Sequence, residues 1–281
     1  MLQQRIVTAV VLLAILLPAI FYPNTDVFAA VALLLIVAGS WEWSNLNQCK
    51  PFTAYCLAGT CALACVATWY FGWTKATLGG LWLMSGAFWV LASVWLLRGG
   101  VGAWGRVPQA VRVVVGLLAL WVAWVAVVQA RDTGINFLVS AMALVWIADV
   151  FAYFTGRAIG QRVFKAKLAP QISPGKTWEG ALGGMVGVLV GAAIWCWADI
   201  QTGTTDLSVF SRLGQTGWFF MFLSVTFLTS MSVLGDLVES LFKRSAGFKD
   251  SSGLLPGHGG VLDRLDALLP VLPLIMMLTT L

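Results

Sequence analysis

The chain of 281 residues is 59% hydrophobic and 10% charged, where a soluble globular protein is roughly 45–50% apolar and about 25% charged. Its 17 basic and 12 acidic side chains cannot cover a water-facing surface of this size, which needs roughly a quarter to a third of its residues ionised. A soluble fold, a disordered chain and a nucleic-acid-binding protein are therefore excluded, and an all-α polytopic membrane protein remains.

Hydropathy predicts nine membrane spans, near residues 6–23, 27–46, 52–73, 78–97, 111–130, 134–155, 179–200, 216–240 and 261–281, each close to the about 20 residues a helix needs to cross the hydrocarbon. The first follows Arg5 and is followed by no small-residue cleavage pattern before Asn24, so it reads as a retained helix rather than a signal peptide. The net charge of +5 is topological, because cytoplasmic loops collect Lys and Arg. With the N-terminus inside, that face receives Arg5, Lys50, Arg98, Arg106, Arg112, Arg157, Arg162, Lys165, Lys167, Lys176, Lys243, Arg244, Lys249 and Arg264. Only Lys75, Arg131 and Arg212 fall on the other. Residues 1–130 read as scaffold helices with dimer contacts, and 131–281 as the catalytic region.

The five cysteines show no CxxC pair and read as small packing residues. Trp41, Trp43, Trp73, Trp104, Trp195, Trp197 and Trp218 lie near span ends and read as interfacial anchors. Gly183, Gly187 and Gly191 form a face on the seventh span that lets two helices approach closely, within a subunit or between subunits.

Polar chemistry gathers in the second half, in three clusters on the basic face. Asp149 lies inside an apolar helix, where a carboxylate is costly unless paired, solvated or bound to a cation; Arg157 is one candidate partner. The segment from Lys165 to Gly180 carries Gly175-Lys176-Thr177, but a Walker loop needs glycine where this chain has Pro170, and no strand is expected before it. What remains is a lysine-rich loop with Ser173 and Thr177 opening on a helix N-terminus, a setting that suits phosphate.

The third cluster is the densest. Asp236, Glu239, Ser240 and Lys243 share one helical face. A loop with Gly253, Pro256, Gly257, His258, Gly259 and Gly260 leads to a second helix opening on Asp263 and Asp266. Carboxylates crowded at an apolar boundary need positive charge beside them. Magnesium suits an oxygen-rich site shared with substrate phosphates. With Lys243, Arg244, Lys249 and Arg264 interleaved, the cluster reads as a site for a polyphosphate.

At these residues the chain resembles the phosphatidate cytidylyltransferases, or CDP-diacylglycerol synthases. The resemblance is carried by Ser240, Lys243, Arg244, Lys249, Asp250, Leu255, Pro256, Gly257, His258, Gly259, Gly260, Asp263, Arg264 and Asp266. Residues Ser232–Glu239, Ser173–Gly180 and Asp149–Gly156 support it. It implies a membrane-embedded homodimer that takes CTP and phosphatidate and uses Mg²⁺ with a monovalent cation such as K⁺. Its site would face the cytoplasm, in a bacterial inner membrane. On this reading Asp236 and Asp263, then Asp266 and Asp149, are the metal ligands. Lys176, Lys243, Arg244, Lys249 and Arg264 hold phosphates, Ser173, Thr177, Ser240, Gly259 and Gly260 line the substrate, and His258 orients the loop or donates to the leaving pyrophosphate. The competing readings are an ion-coupled transporter, which also carries intramembrane carboxylates, and a related enzyme using another lipid or nucleotide.

Overall fold

The computed structural model describes residues 2–280. Six helices come first: α1 Leu2–Phe21, α2 Thr25–Leu46, α3 Pro51–Tyr70, α4 Gly79–Gly105, α5 Gln109–Thr133 and α6 Ile135–Ile159. A small hairpin of β1 Lys167–Ala169 and β2 Ser173–Thr177 follows, then α7 Trp178–Thr202, the short α8 Val209–Thr216, α9 Trp218–Ser245, α10 Leu262–Leu265 and α11 Leu268–Thr279. Eight of these, α1 to α7 and α9, are long and apolar enough to cross a membrane, and their outward faces carry the exposed Leu, Val, Phe and Ile expected of lipid contact.

The expected ninth span is different. It is split into the single turn α10 and the 12-residue α11, which at about 1.5 Å per residue reaches roughly 18 Å, well short of the ~30 Å hydrocarbon core. Nor does it face lipid: Val271, Leu274 and Ile275 are fully buried, and α11 packs on α4, α5 and α9. An apolar stretch lies here because it fills the middle of the bundle.

The strongest helix pairing is α6 on α7, and the glycine face makes it. A Cβ on Gly183 would overlap Thr155, one on Gly187 the Phe151 ring, and one on Gly184 would lie 2.8 Å from the Ala148 carbonyl. The small-residue stripe is therefore used within the chain and offers no surface to a second subunit. We expect Gly187→Leu to lower the thermal unfolding midpoint in detergent, since forcing extra atoms into a packed contact costs about 1–3 kcal/mol. Gly59→Leu, where no atom lies within 4 Å of the new Cβ, should leave the midpoint unchanged; equal shifts would show that the α6–α7 contact is not tight.

Both ends of the bundle match the predicted sidedness relative to each other. The Arg5 Nε–H donates to the Gly257 carbonyl (3.0 Å) and the Thr8 hydroxyl to that of Pro256 (2.8 Å), so the N-terminus and the glycine-rich loop share one face. On the opposite face Arg131 donates to the carbonyls of Ile20 and Tyr22, and Arg212 lies over the Phe137 ring at 5.2 Å. Two of the three basic residues on the sparse face thus serve as structural clamps.

All five cysteines are free. Trp73, Trp197 and Trp218 are exposed as anchors should be, but Trp43 and Trp104 are buried. Their rings pack on each other and on Phe242, and the Trp43 indole N–H donates to the Arg112 and Val113 carbonyls. The boundary expected at 130/131 falls inside α5, and the buried core runs across it.

Candidate active site

Two of the polar clusters and the membrane half of the third meet in one cavity of about 440 Å³, lined by Asp149 and Arg157 of α6, Lys176 and Thr177 of β2, Gly180 of α7 and Asp236 of α9. Each side chain is delivered by local structure. The hairpin, where the sequence suggested a loop, turns Ser173–Thr177 into a strand that runs straight into α7. Thr177 is the N-cap of that helix, its hydroxyl accepting from the Gly180 N–H at 3.1 Å. Glu179, in the first turn, accepts from the N–H groups of Val163 and Phe164 and ties down the chain between α6 and the hairpin. Held in this way, the Lys176 ammonium reaches across the cavity to Asp236 at 2.5 Å. The Ser240 hydroxyl donates to the other Asp236 oxygen at 3.3 Å. Arg157 pairs with the Tyr153 hydroxyl rather than with Asp149, so Asp149 presents its carboxylate to the cavity.

The remaining members of the third cluster form a network on the adjoining side of α9. Lys243 bridges Glu239, one turn below it, and Asp263 of α10, the latter at 2.6 Å. Asp263 also accepts from the backbone N–H of Ser251 (3.0 Å) and Gly260 (2.7 Å). Burial pushes the Asp263 carboxyl up, but the bonds from Lys243 and Gly260 outweigh it and hold the group below the usual carboxylate range. Asp266 lies in the opposite situation: burial first, then the negative charge of Asp236, raise it well above that range.

The loop between α9 and α10 owes its shape to its sequence. The His258 N–H donates to the Leu255 carbonyl at 2.8 Å across Pro256 and Gly257, the latter at φ +75°; proline then glycine is the pairing a type II turn requires. At Gly260 a Cβ would collide with Ser251 Oγ and with the Glu42 carboxylate. Glu42, fully buried in α2, accepts four hydrogen bonds from this loop and the start of α10. Oε1 takes the Ser252 hydroxyl and the Val261 N–H (2.9 Å), and Oε2 takes the Ser251 hydroxyl (3.2 Å) and the Leu262 N–H (2.7 Å). The sequence reading passed Glu42 over.

The expected site residues thus divide by position. Asp149, Lys176, Thr177 and Asp236 line the cavity, with Ser240 bonded to Asp236. Lys243, Asp263, Gly259 and Gly260 belong to the adjoining network, where both Asp263 oxygens are already engaged. Arg264 donates to the His258 carbonyl at 2.8 Å. Ser173 sits in β2 and does not line the cavity, Arg244 is exposed in the last turn of α9, and Lys249 is exposed in the loop beyond it. The four carboxylates expected to share a metal do not converge on one point, and among the described residues no three His, Cys, Asp or Glu side chains do.

A cavity that sets a lysine and two carboxylates at the end of an apolar bundle suits phosphate chemistry, and comparison with known proteins agrees. The cytidylyltransferase family profile matches residues 3–281. The phosphatidate cytidylyltransferase of Pseudomonas aeruginosa is 37% identical over 278 residues, covering 97% of this chain and 95% of its own length. That of Haemophilus influenzae is 35% identical over 295 residues, covering 97% and 96%, and that of Brucella abortus is 33% identical over 280, covering 95% and 89%. With a match along nearly its whole length, this integral membrane chain belongs to the cytidylyltransferase family.

Proposed function

We propose that the protein transfers CMP from CTP to phosphatidate, giving CDP-diacylglycerol and pyrophosphate. The observation that carries this is the Lys176–Asp236 contact, which joins two separate motif segments across one cavity in a chain of this family. The reaction forms a bond between a phosphate oxygen of phosphatidate and the α-phosphorus of CTP and breaks the bond from that phosphorus to the β-phosphate oxygen. The nucleophile is already an anion, so little proton transfer is required and catalysis rests on positioning and charge stabilisation. Lys176 supplies a mobile point charge for the triphosphate, with Asp236 and the Ser240 hydroxyl fixing where it stands. Lys243, locked between Glu239 and Asp263, holds the glycine-rich loop against α9.

The donor set fits a magnesium ion. Asp236 and Asp149 offer carboxylate oxygens to the cavity, and magnesium typically takes one or two carboxylates and leaves its other positions to water and substrate phosphates. Bound there, it would supply charge neutralisation for the phosphates in the transition state. The carboxylates of Asp236 and Asp149 are the proposed holders; Asp266, which does not line this cavity, is not one of them, and Asp263 is instead a positioning residue for the loop. A monovalent cation and a homodimer enter this reading through family resemblance alone. The basic face is read as the cytoplasmic face of a bacterial inner membrane, because 14 of the 17 basic residues fall on it.

The test is pyrophosphate release by purified protein in mixed micelles. Release is expected with CTP, phosphatidate and Mg²⁺ together, with CDP-diacylglycerol as co-product, and not with ATP, GTP or UTP. Absence of release from folded protein under every combination would overturn the reading.

A further inference from the structure

We propose that one acyl chain of the lipid substrate lies in the apolar groove between α1 and the body of the protein, with the Arg264 guanidinium at its polar end. The proposal rests on the phosphatidate reading above and adds where that lipid is held. The groove encloses about 230 Å³ and is walled by Leu12 and Leu16 of α1, Ala32 of α2, Trp146 of α6 and Leu268 of α11, with Arg264 as its one charged lining residue. An apolar slot lined by a single cation suits an anionic amphiphile, since the tail exchanges one apolar surrounding for another and the headgroup gains an ion pair.

Three further observations support the assignment. Among the described residues Arg264 makes no ion pair, and it uses one guanidinium N–H, on the His258 carbonyl, of the five it carries. Trp146 stands one helical turn before Asp149, so the groove and the polar cavity adjoin along α6. Last, α1 buries only 17% of its apolar stretch against 50% for α2, so the groove's outer wall is a helix exposed along most of its length on the side from which a bilayer lipid would enter.

A larger apolar cavity, of about 490 Å³, lies among Trp43, Trp89, Trp95 and Trp104, but its polar end is formed by Glu239 and Asp266. Neither side chain brings a cation to a lipid phosphate, and Glu239 is already paired with Lys243. Charge complementarity therefore favours the smaller groove.

Two measurements test this. Phosphatidate with a photoreactive diazirine on one acyl chain, irradiated with the wild-type protein, should label residues 12–36 of α1 and α2, and unlabelled phosphatidate should compete. Labelling of residues 88–95 of α4, or labelling no different from that by the phosphatidylcholine analogue, would overturn the proposal. In turnover, Leu16→Trp and Ala32→Phe fill the groove from its two walls. Each should raise KM for dioleoyl-phosphatidate about tenfold while leaving KM for CTP and turnover of dihexanoyl-phosphatidate unchanged. Equal effects on long and short chains, or none, would count against the groove. Failure of the wild type to turn over either lipid would instead remove the phosphatidate reading itself. Should either variant misfold, the labelling pattern of the wild type still decides.

Discussion

Asp236→Asn should reduce turnover by roughly 10²–10³-fold, the loss typical when one preorganised electrostatic contact to developing charge is removed, while the protein stays folded and inserted. The substitution is nearly isosteric and keeps an oxygen to accept from Ser240, so the packing of α9 is untouched. What disappears is the negative charge that Lys176 meets at 2.5 Å, together with the best-placed carboxylate in the cavity. Lys176→Met should cost a comparable factor, and the double variant less than the product of the two, because both act through one contact. The measurements are pyrophosphate release at saturating Mg²⁺ and the melting midpoint of each variant in detergent. A wild-type rate from Asp236→Asn would remove this residue from the site.

The second large effect is expected at Glu42, which touches no cavity residue. Each of its oxygens accepts one hydroxyl and one backbone N–H. Glutamine replaces one oxygen with an NH₂ group; the serine hydroxyl facing it can rotate to accept, but the backbone N–H cannot. One buried donor then faces another, at a cost of about 1–3 kcal/mol. If that free energy separates the observed loop from looser arrangements, the competent population and kcat/KM fall roughly 5–150-fold. Because the damage is confined to residues 251–262, the melting midpoint should move little. Unchanged activity of Glu42→Gln would show that the loop holds its shape without this anchor.

Some of this was legible in the chain and some was not, for physical reasons. The eight long spans announce themselves because lipid demands long apolar helices whatever they pack against. The face of Asp236, Glu239, Ser240 and Lys243 followed from helical spacing, and the contacts of Ser240 and Lys243 along α9 bear out that spacing. Composition alone could not separate α11 from a true span, since a buried helix and a lipid-facing one are equally apolar; its two parts are set by the Asp263–Asp266 turn. Trp43 and Trp104 sit where anchors sit, but their partner Phe242 lies more than a hundred residues away. The hairpin carries no alternating pattern, so nothing local marked it as strand. Glu42 is the instructive omission: the cost argument that singled out Asp149 applies equally to a carboxylate one turn from the end of α2. Only its partners, over two hundred residues distant, were out of sight.

That separation also sets an order of events during synthesis. Ser251 follows Glu42 by 209 residues, and at about 5–20 residues per second the carboxylate waits roughly 10–40 s for its hydroxyl and amide donors to be made. Throughout that interval α2 carries an acid without those loop donors near the headgroup boundary, where water must take their place. Closure of the loop on Glu42 is therefore one of the last steps in maturation, and a ribosome-bound chain stopped before residue 251 already holds Asp149, Lys176 and Asp236 but lacks the loop that closes beside them.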